Sequence, residues 1–358
     1  MYRLRPVWLG QVRVSGSSRP GAVSRRGQLD LLPILSVADQ GLTQLDQRAR
    51  GTEFLALPVR SVLNSPLSTG MGFWSLNPYV GCEFGCTYCY ARDTHRYAIE
   101  RHGGQADQMD FERRILVKPD AANALARTLD PKKLAGAPLV IGTATDPYQP
   151  AERRFRVTRS VLEALLHWRG LTLGIITKSP LITRDVDLLT QLAERHELSI
   201  NISLATLDAR LARRLELRSP VPSARLRALR RLTRAGINAG LIVAPVVPCV
   251  TDGRAALDAL FQAAKEAGAR YVVWAALRLG PAARRRFLPH LAREFPGLAE
   301  RYARHYANRQ SVDRSYQDAL TRRLRALRRK HGFSADERFR PAAEAASAAS
   351  ADLQPLLL

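Results

Sequence analysis

Long apolar runs are missing from these 358 residues. None approaches the roughly 18 residues that a membrane-spanning helix needs, so no span is expected. The basic start, Met1-Tyr2-Arg3-Leu4-Arg5, is not followed by an apolar stretch of ~7–15 residues, so no secretory leader is expected. Cysteine is scarce: there are 4, three of them between positions 82 and 89, with Cys249 alone. A disulfide framework spreads its cysteines to close loops, which excludes one here. The pattern suits a reducing cytoplasm and a metal site. Acidic residues are outnumbered, 32 Asp+Glu against 55 Lys+Arg, for a net charge of +23. A field of that sign favours polyanions such as nucleic acid. The excess is nevertheless spread along the chain and carried mostly by Arg, which also fits an ordinary solvated surface.

What is present is globular. With 46% hydrophobic and 24% charged residues, the chain can bury a substantial core and is not a disordered segment. Residues 1–54, punctuated by Gly and Ser, read as a flexible basic extension. From residue 55 to 288 short apolar runs alternate with amphipathic stretches. Strands are expected around Trp74–Tyr79 and at Leu139–Thr143, Leu171–Thr177, Leu198–Leu204, Ala239–Val247 and Tyr271–Leu277. Helices are expected at Thr158–Trp168, Asp185–Arg195, Ser223–Ala235 and Ala255–Ala267, the last two stopped by Gly236 and Gly268. Such alternation means right-handed βαβ crossovers and a parallel sheet. About six units favour an α/β fold of the partial (β/α)6, TIM-like barrel type, with an open doubly wound sheet as the alternative. Residues 289–340 read as a basic helical extension, with helices at Leu291–Asn308 and Ser315–His331, and 341–358 as a disordered tail.

The segment Gly81-Cys82-Glu83-Phe84-Gly85-Cys86-Thr87-Tyr88-Cys89-Tyr90 carries the chemistry. An iron–sulfur cube needs thiolates on a tight loop, three of them converging on three corners. Gly81 and Gly85 permit the sharp backbone path. Phe84, Tyr88 and Tyr90 can shield a cluster from water and so tune it. Three ligands leave one iron open, as a reactive site requires. Zinc is the competing occupant, but a closed structural site needs a fourth ligand, and only His95 or the distant Cys249 is on offer. The seven His (95, 102, 167, 196, 290, 305, 331) show no metal-pair spacing, and His95 and His102 fit packing or support behind the metal.

This segment, with its aromatic residue before the third cysteine, resembles the cluster signature of the radical S-adenosylmethionine superfamily. Asn77-Pro78-Tyr79, Tyr90-Ala91-Arg92, Thr145-Asp146-Pro147-Tyr148-Gln149-Pro150 with Glu152, Thr177-Lys178-Ser179, Arg184-Asp185 and Ala244-Pro245-Val246-Val247-Pro248 are similar to the branch related to spore photoproduct lyase. The resemblance spans about residues 55 to 330. It implies an enzyme in which Cys82, Cys86 and Cys89 hold a 4Fe-4S cluster, whose open iron takes the amino and carboxylate groups of S-adenosylmethionine. One electron then breaks the sulfonium to methionine and a 5′-deoxyadenosyl radical that abstracts a substrate hydrogen. It places Tyr88 near the adenine, and Thr143, Thr145 and Asp146 near the methionine ammonium. Asp146 before Pro147 also suits a turn start. Asn201 and Ser203 share one face of a strand, toward ribose or carboxylate, or as a polar barrel layer. Lys178 at a strand end suits an anion. The resemblance further implies a reducing partner such as a flavodoxin or ferredoxin. The lyase itself uses a further cysteine as hydrogen donor, and no cysteine lies between Cys89 and Cys249, so photoproduct repair does not carry over directly. Two other readings stand beside the first: a lyase-like activity on nucleic acid, and a zinc-stabilised nucleic-acid-binding protein without catalysis.

Overall fold

The computed structural model describes residues 42–47, 51–69, 72–105, 109–134 and 136–333. Eleven strands are found among them: β1 Gln44–Gln47, β2 Glu53–Ala56, β3 Leu63–Asn64, β4 Trp74–Leu76, β5 Tyr79–Val80, β6 Arg114–Val117, β7 Leu139–Ile141, β8 Thr172–Thr177, β9 Glu197–Ser203, β10 Ala239–Val246 and β11 Val272–Ala276. The main sheet has the order β11-β10-β9-β8-β7-β4-β3. Its six strands β4, β7, β8, β9, β10 and β11 run parallel, and β3 pairs antiparallel at one edge. The expected six βα units are therefore present. β3 and β11 are the two edges, so the sheet does not close.

Local chemistry explains the crossover helices. Pro222 opens helix Pro222–Arg234 at its first position, where its missing N–H costs nothing. The same helix ends as expected at Gly236, with Ile237 N–H donating to Leu232 O and Gly236 N–H to Thr233 O. Helix Val157–Leu165 buries Val157, Val161, Leu162 and Leu165, and helix Val186–Arg195 buries Leu188, Leu189 and Leu192. These side chains meet Leu173, Ile175, Leu198 and Ile200 of the sheet in the larger apolar core.

Four expectations shift. The strand expected around Trp74–Tyr79 is split between two sheets. Asn77 and Pro78 turn the chain out of β4, and β5 then pairs with β6 in a four-stranded sheet of order β1-β2-β6-β5. Pro78 has no N–H for a ladder, and Asn77 instead uses its side chain to accept from Ala144 N–H at 2.9 Å. Strand pairing at β1 and β2 lies upstream of the boundary expected at residue 55, and the rest of 1–54 lies outside the described residues, as does the 341–358 tail. The boundary expected at residue 289 falls inside helix Pro281–Glu294, whose Phe287 and Leu291 pack into the same cluster as Cys82, Cys86 and Tyr88. The helix expected at Leu291–Asn308 is broken at Pro296-Gly297 and resumes as Ala299–Tyr306. Helix Arg314–Lys330 buries Leu320 and Leu324 in the larger core.

Candidate metal and cofactor site

The three cysteines sit on the loop between β5 and helix Ala91–Thr94. Backbone bonds from three directions fix it. Cys82 N–H donates to Phe111 O at 2.8 Å, Thr87 N–H to Leu215 O at 3.0 Å, and Phe84 O accepts from Arg218 N–H at 2.9 Å. Gly81 has φ +81°, and a Cβ there would stand 2.8 Å from Phe111 O, so the close approach requires glycine. Gly85 has φ +65°, and a Cβ there would stand 3.2 Å from Arg218 Nε and 3.3 Å from a Glu112 carboxylate oxygen.

Cys82, Cys86 and Cys89 all line one cleft, together with Tyr88, Tyr90, Thr143, Thr145, Asp146, Lys178 and Ser203. Strand-end residues of β8 (Thr177), β9 (Ser203) and β11 (Ala276), with Ala244 of β10 and the loop after β7, share that wall, so the sheet curls around it. The cleft holds about 1010 Å³ of atom-free space, its open mouth included.

The donor set fits a cluster better than a single ion. Cys82 and Cys86 are buried and Cys89 is half-buried, all as free thiols. Burial pushes the Cys86 thiol up to about 12 and raises Cys82 and Cys89 as well. Thiols held this way ionise when a cation displaces their protons. Among the described residues no three Cys, His, Asp or Glu side chains converge on one ion-sized point. The fourth zinc ligands considered above do not join them. His95 Nδ1 accepts from Gly81 N–H at 3.3 Å, and Cys249 is exposed with Arg301 donating to its Sγ at 3.6 Å. Burial holds His95 at about 3, so it is neutral and acts as an acceptor behind the loop.

The other expected residues share the wall, each with protein partners. Thr145 Oγ1 donates to Gly81 O at 2.6 Å, tying the loop after β7 to the cysteine loop. Thr143 Oγ1 is bonded to Ser75 Oγ and accepts from Asn77 Nδ2, and its carbonyl accepts from Tyr90 Oη. Asp146 accepts from Tyr148 N–H, Thr177 Oγ1 and Lys178 N–H at 2.6–2.9 Å, so the turn-start role is occupied and the carboxylate also clasps the end of β8. Ser203 Oγ donates to Ala244 O at 3.3 Å. Burial works against a charge on Lys178, but Cys86 and Glu216 hold its ammonium above the usual range.

Sequence reasoning missed the layer behind the loop. The Tyr88 hydroxyl donates to Glu216, whose other oxygen takes Arg225. Both charged side chains are buried, and Glu216 also pairs by backbone with Cys86. Ser219 Oγ lies 3.5 Å from Cys86 Sγ. Gln149 takes Glu83 N–H at 2.9 Å and donates to Gly81 O at 3.2 Å. Only Gln149 carried a local signal, through the segment that holds Asp146.

A family model for the Radical SAM superfamily matches residues 76–260. The chain belongs to that superfamily of enzymes. It is 34% identical over 293 residues to an uncharacterized protein of Mycobacterium tuberculosis, covering 81% of this chain and 84% of that one. It is 26% identical over 177 residues to an uncharacterized protein of Methanocaldococcus jannaschii, covering 49% of this chain and 61% of that one. In fold it is similar to a spore photoproduct lyase variant, with a TM-score of 0.57 at 14% identity over 78% of this chain and 79% of the other. The lyase complexed with a dinucleoside spore photoproduct gives 0.55 at 15% identity over the same shares. The α/β partial barrel expected from the alternation is thus the fold. No helix among the described residues is long and apolar enough to cross a membrane.

Proposed function

We propose that this chain binds a 4Fe-4S cluster on Cys82, Cys86 and Cys89 and S-adenosylmethionine in the adjoining cleft, and opens radical chemistry on an organic substrate. The observation that carries this is that three free thiols from one loop line a single cleft at the strand ends of a parallel sheet. When bound, the pair supplies one-electron cleavage of the sulfonium and a 5′-deoxyadenosyl radical. The protein's own residues hold and shield. Tyr88 and Tyr90 close the loop side, Lys178 offers a cation to a carboxylate, and Ser203 a hydroxyl to ribose or carboxylate. Thr143, Thr145 and Asp146 set the wall where the methionine ammonium would lie, through carbonyls and a carboxylate. Chemistry of this kind calls for a reducing compartment, the cytoplasm.

A lyase-like reaction on nucleic acid is the second reading, favoured by the +23 charge. Cys249, however, is exposed and outside the cleft wall, so it is not placed to donate a hydrogen atom there.

Anaerobic reconstitution with iron and sulfide tests the proposal. The expected results are a brown protein, an axial EPR signal that shifts on adding S-adenosylmethionine, and release of 5′-deoxyadenosine. Replacing any one of Cys82, Cys86 or Cys89 with Ala abolishes that release. A colourless protein holding one zinc overturns the reading.

A further inference from the structure

Several surface helices of this chain meet an arginine with a carboxylate one turn away. Arg96 pairs with Glu100 at 2.7 Å, Arg159 with Glu163 at 3.1 Å and Arg304 with Glu300 at 3.3 Å. Helix Pro222–Arg234 is built the other way. Its inner side buries Arg225, Ala228, Leu229 and Leu232, while Arg227, Arg230, Arg231 and Arg234 are exposed. With 3.6 residues per turn, these four fall within roughly 100° of arc and so share the helix's outer face. They stand three and four residues apart, where like charges repel and weaken a helix. No Asp or Glu lies between Glu216 and Asp252 in the sequence to relieve them, and Glu216 is buried against Arg225. The neighbouring segment Pro180–Asp185 brings one carboxylate, Asp185, which is buried and paired with Arg159 and Arg184. Among the described residues, none of the four guanidinium groups meets a carboxylate. The helix dipole favours cations in the last turn, which accounts for Arg231 and Arg234 but not for Arg227 and Arg230 before them. None of the four lines the cleft.

We infer that the outer face of helix Pro222–Arg234 binds the phosphate backbone of a double-helical nucleic acid. Phosphates exchange their condensed counterions for fixed guanidinium groups of this kind, and the released ions drive binding. Each guanidinium fork can take two phosphate oxygens at once. Arg227 to Arg234 span about 10 Å along the helix axis, close to the rise of three base pairs at ~3.4 Å each. A single strand is a poorer match, because its unstacked bases need aromatic rings. No Phe, Tyr or Trp stands in the sequence between Trp168 and Phe261. Contacts therefore go to the backbone and are indifferent to base sequence. The inference concerns a second surface and does not rest on the cluster reading, so loss of the cluster leaves it untouched.

The experiment sets two variants of equal charge against the wild-type full chain. Arg227→Gln/Arg231→Gln/Arg234→Gln strips the unpaired face. Arg96→Gln/Arg304→Gln/Arg309→Gln removes as many charges from arginines that already have carboxylate partners. Circular dichroism melts confirm that both are folded. Binding of a fluorescein-labelled DNA duplex of about 20 base pairs is followed by anisotropy from about 50 to 200 mM KCl. The expected result is a salt slope reduced by about 2–3 and an affinity lowered about 10-fold or more in the first variant, with the second within about twofold of wild type. A duplex RNA of the same length is a second arm, and whichever duplex loses affinity in the first variant alone is the one this face holds. Equal losses in the two variants overturn the inference, because the charge then acts as a diffuse field. No binding of either duplex at the lowest salt overturns it too, as does binding to phosphatidylserine vesicles with the duplexes left free.

Discussion

Arg225 is a severe test of how the loop is supported. Its side chain is 1% exposed and donates to Glu216, to Pro220 O at 2.8 Å and to Ser203 O at 3.0 Å. Arg225→Ala strands the Glu216 carboxylate in the interior with one hydroxyl, that of Tyr88, and a neighbouring ammonium. Breaking a buried pair from one side costs about 3–5 kcal/mol, because the surviving charge is uncompensated. At about 2 °C per kcal/mol for a large domain, the melting temperature falls roughly 6–10 °C. Replacing both partners, as in Glu216→Gln/Arg225→Met, removes the stranded charge and keeps the volume, so the double variant melts above Arg225→Ala. The assay is calorimetry of the metal-free chain without air, so cluster content does not enter. A fall under about 2 °C for Arg225→Ala, or a double variant melting below the single one, would refute the reasoning.

Ser219→Ala lowers the midpoint potential of the reconstituted cluster. A hydrogen bond to sulfur stabilises the reduced state, and about 0.5–1.5 kcal/mol converts to roughly 20–60 mV for one electron; potentiometric EPR showing no shift defeats this. Cys249→Ala retains full 5′-deoxyadenosine release, because that thiol is exposed and off the cleft wall, and loss of release would show a role that geometry does not give it. Asp258 anchors the last helix through Lys330 at 2.6 Å and His331 at 2.7 Å, and Lys330 and then His331 hold its carboxyl below the usual range. A depressed carboxylate stabilises above its unfolded value near ~4 and loses that contribution as pH falls through its folded one. Hydrogen exchange in residues 314–330 should therefore stay slow on acidification until below pH ~4 and then quicken; equal protection at pH 3 and 7 would sink the idea.

Much of the fold was legible because its signals are local. Alternating apolar runs, Pro222 at a helix start and Gly236 and Gly268 at helix ends each act within one turn of chain. β4 and β5 read as one strand in the sequence because Trp74, Leu76 and Tyr79 put apolar residues on both sides of Asn77-Pro78, and only the sheet reveals that Pro78 ends the pairing. The cysteine loop was legible for the same reason as the helices, since its ligands and glycines are near neighbours. The support behind it was not. Glu216, Ser219 and Arg225 lie more than a hundred residues further along the chain, the first two in a turn between two helices and Arg225 in the second, where the composition reads as an ordinary basic surface. Glu112 gave no sign of its three guanidinium neighbours, which come from three separate elements.

The thiol loop is stitched at Cys82, Phe84 and Thr87 to Phe111, Arg218 and Leu215, and none of those stitches is a sulfur. Zinc fingers collapse when stripped because their metal is their core. Here the loop's path is held by its own peptide bonding and by apolar packing, so on the proposed reading cluster assembly would be a loading step onto a finished chain, and air that destroyed the inorganic centre would leave the receptacle in shape for a fresh one.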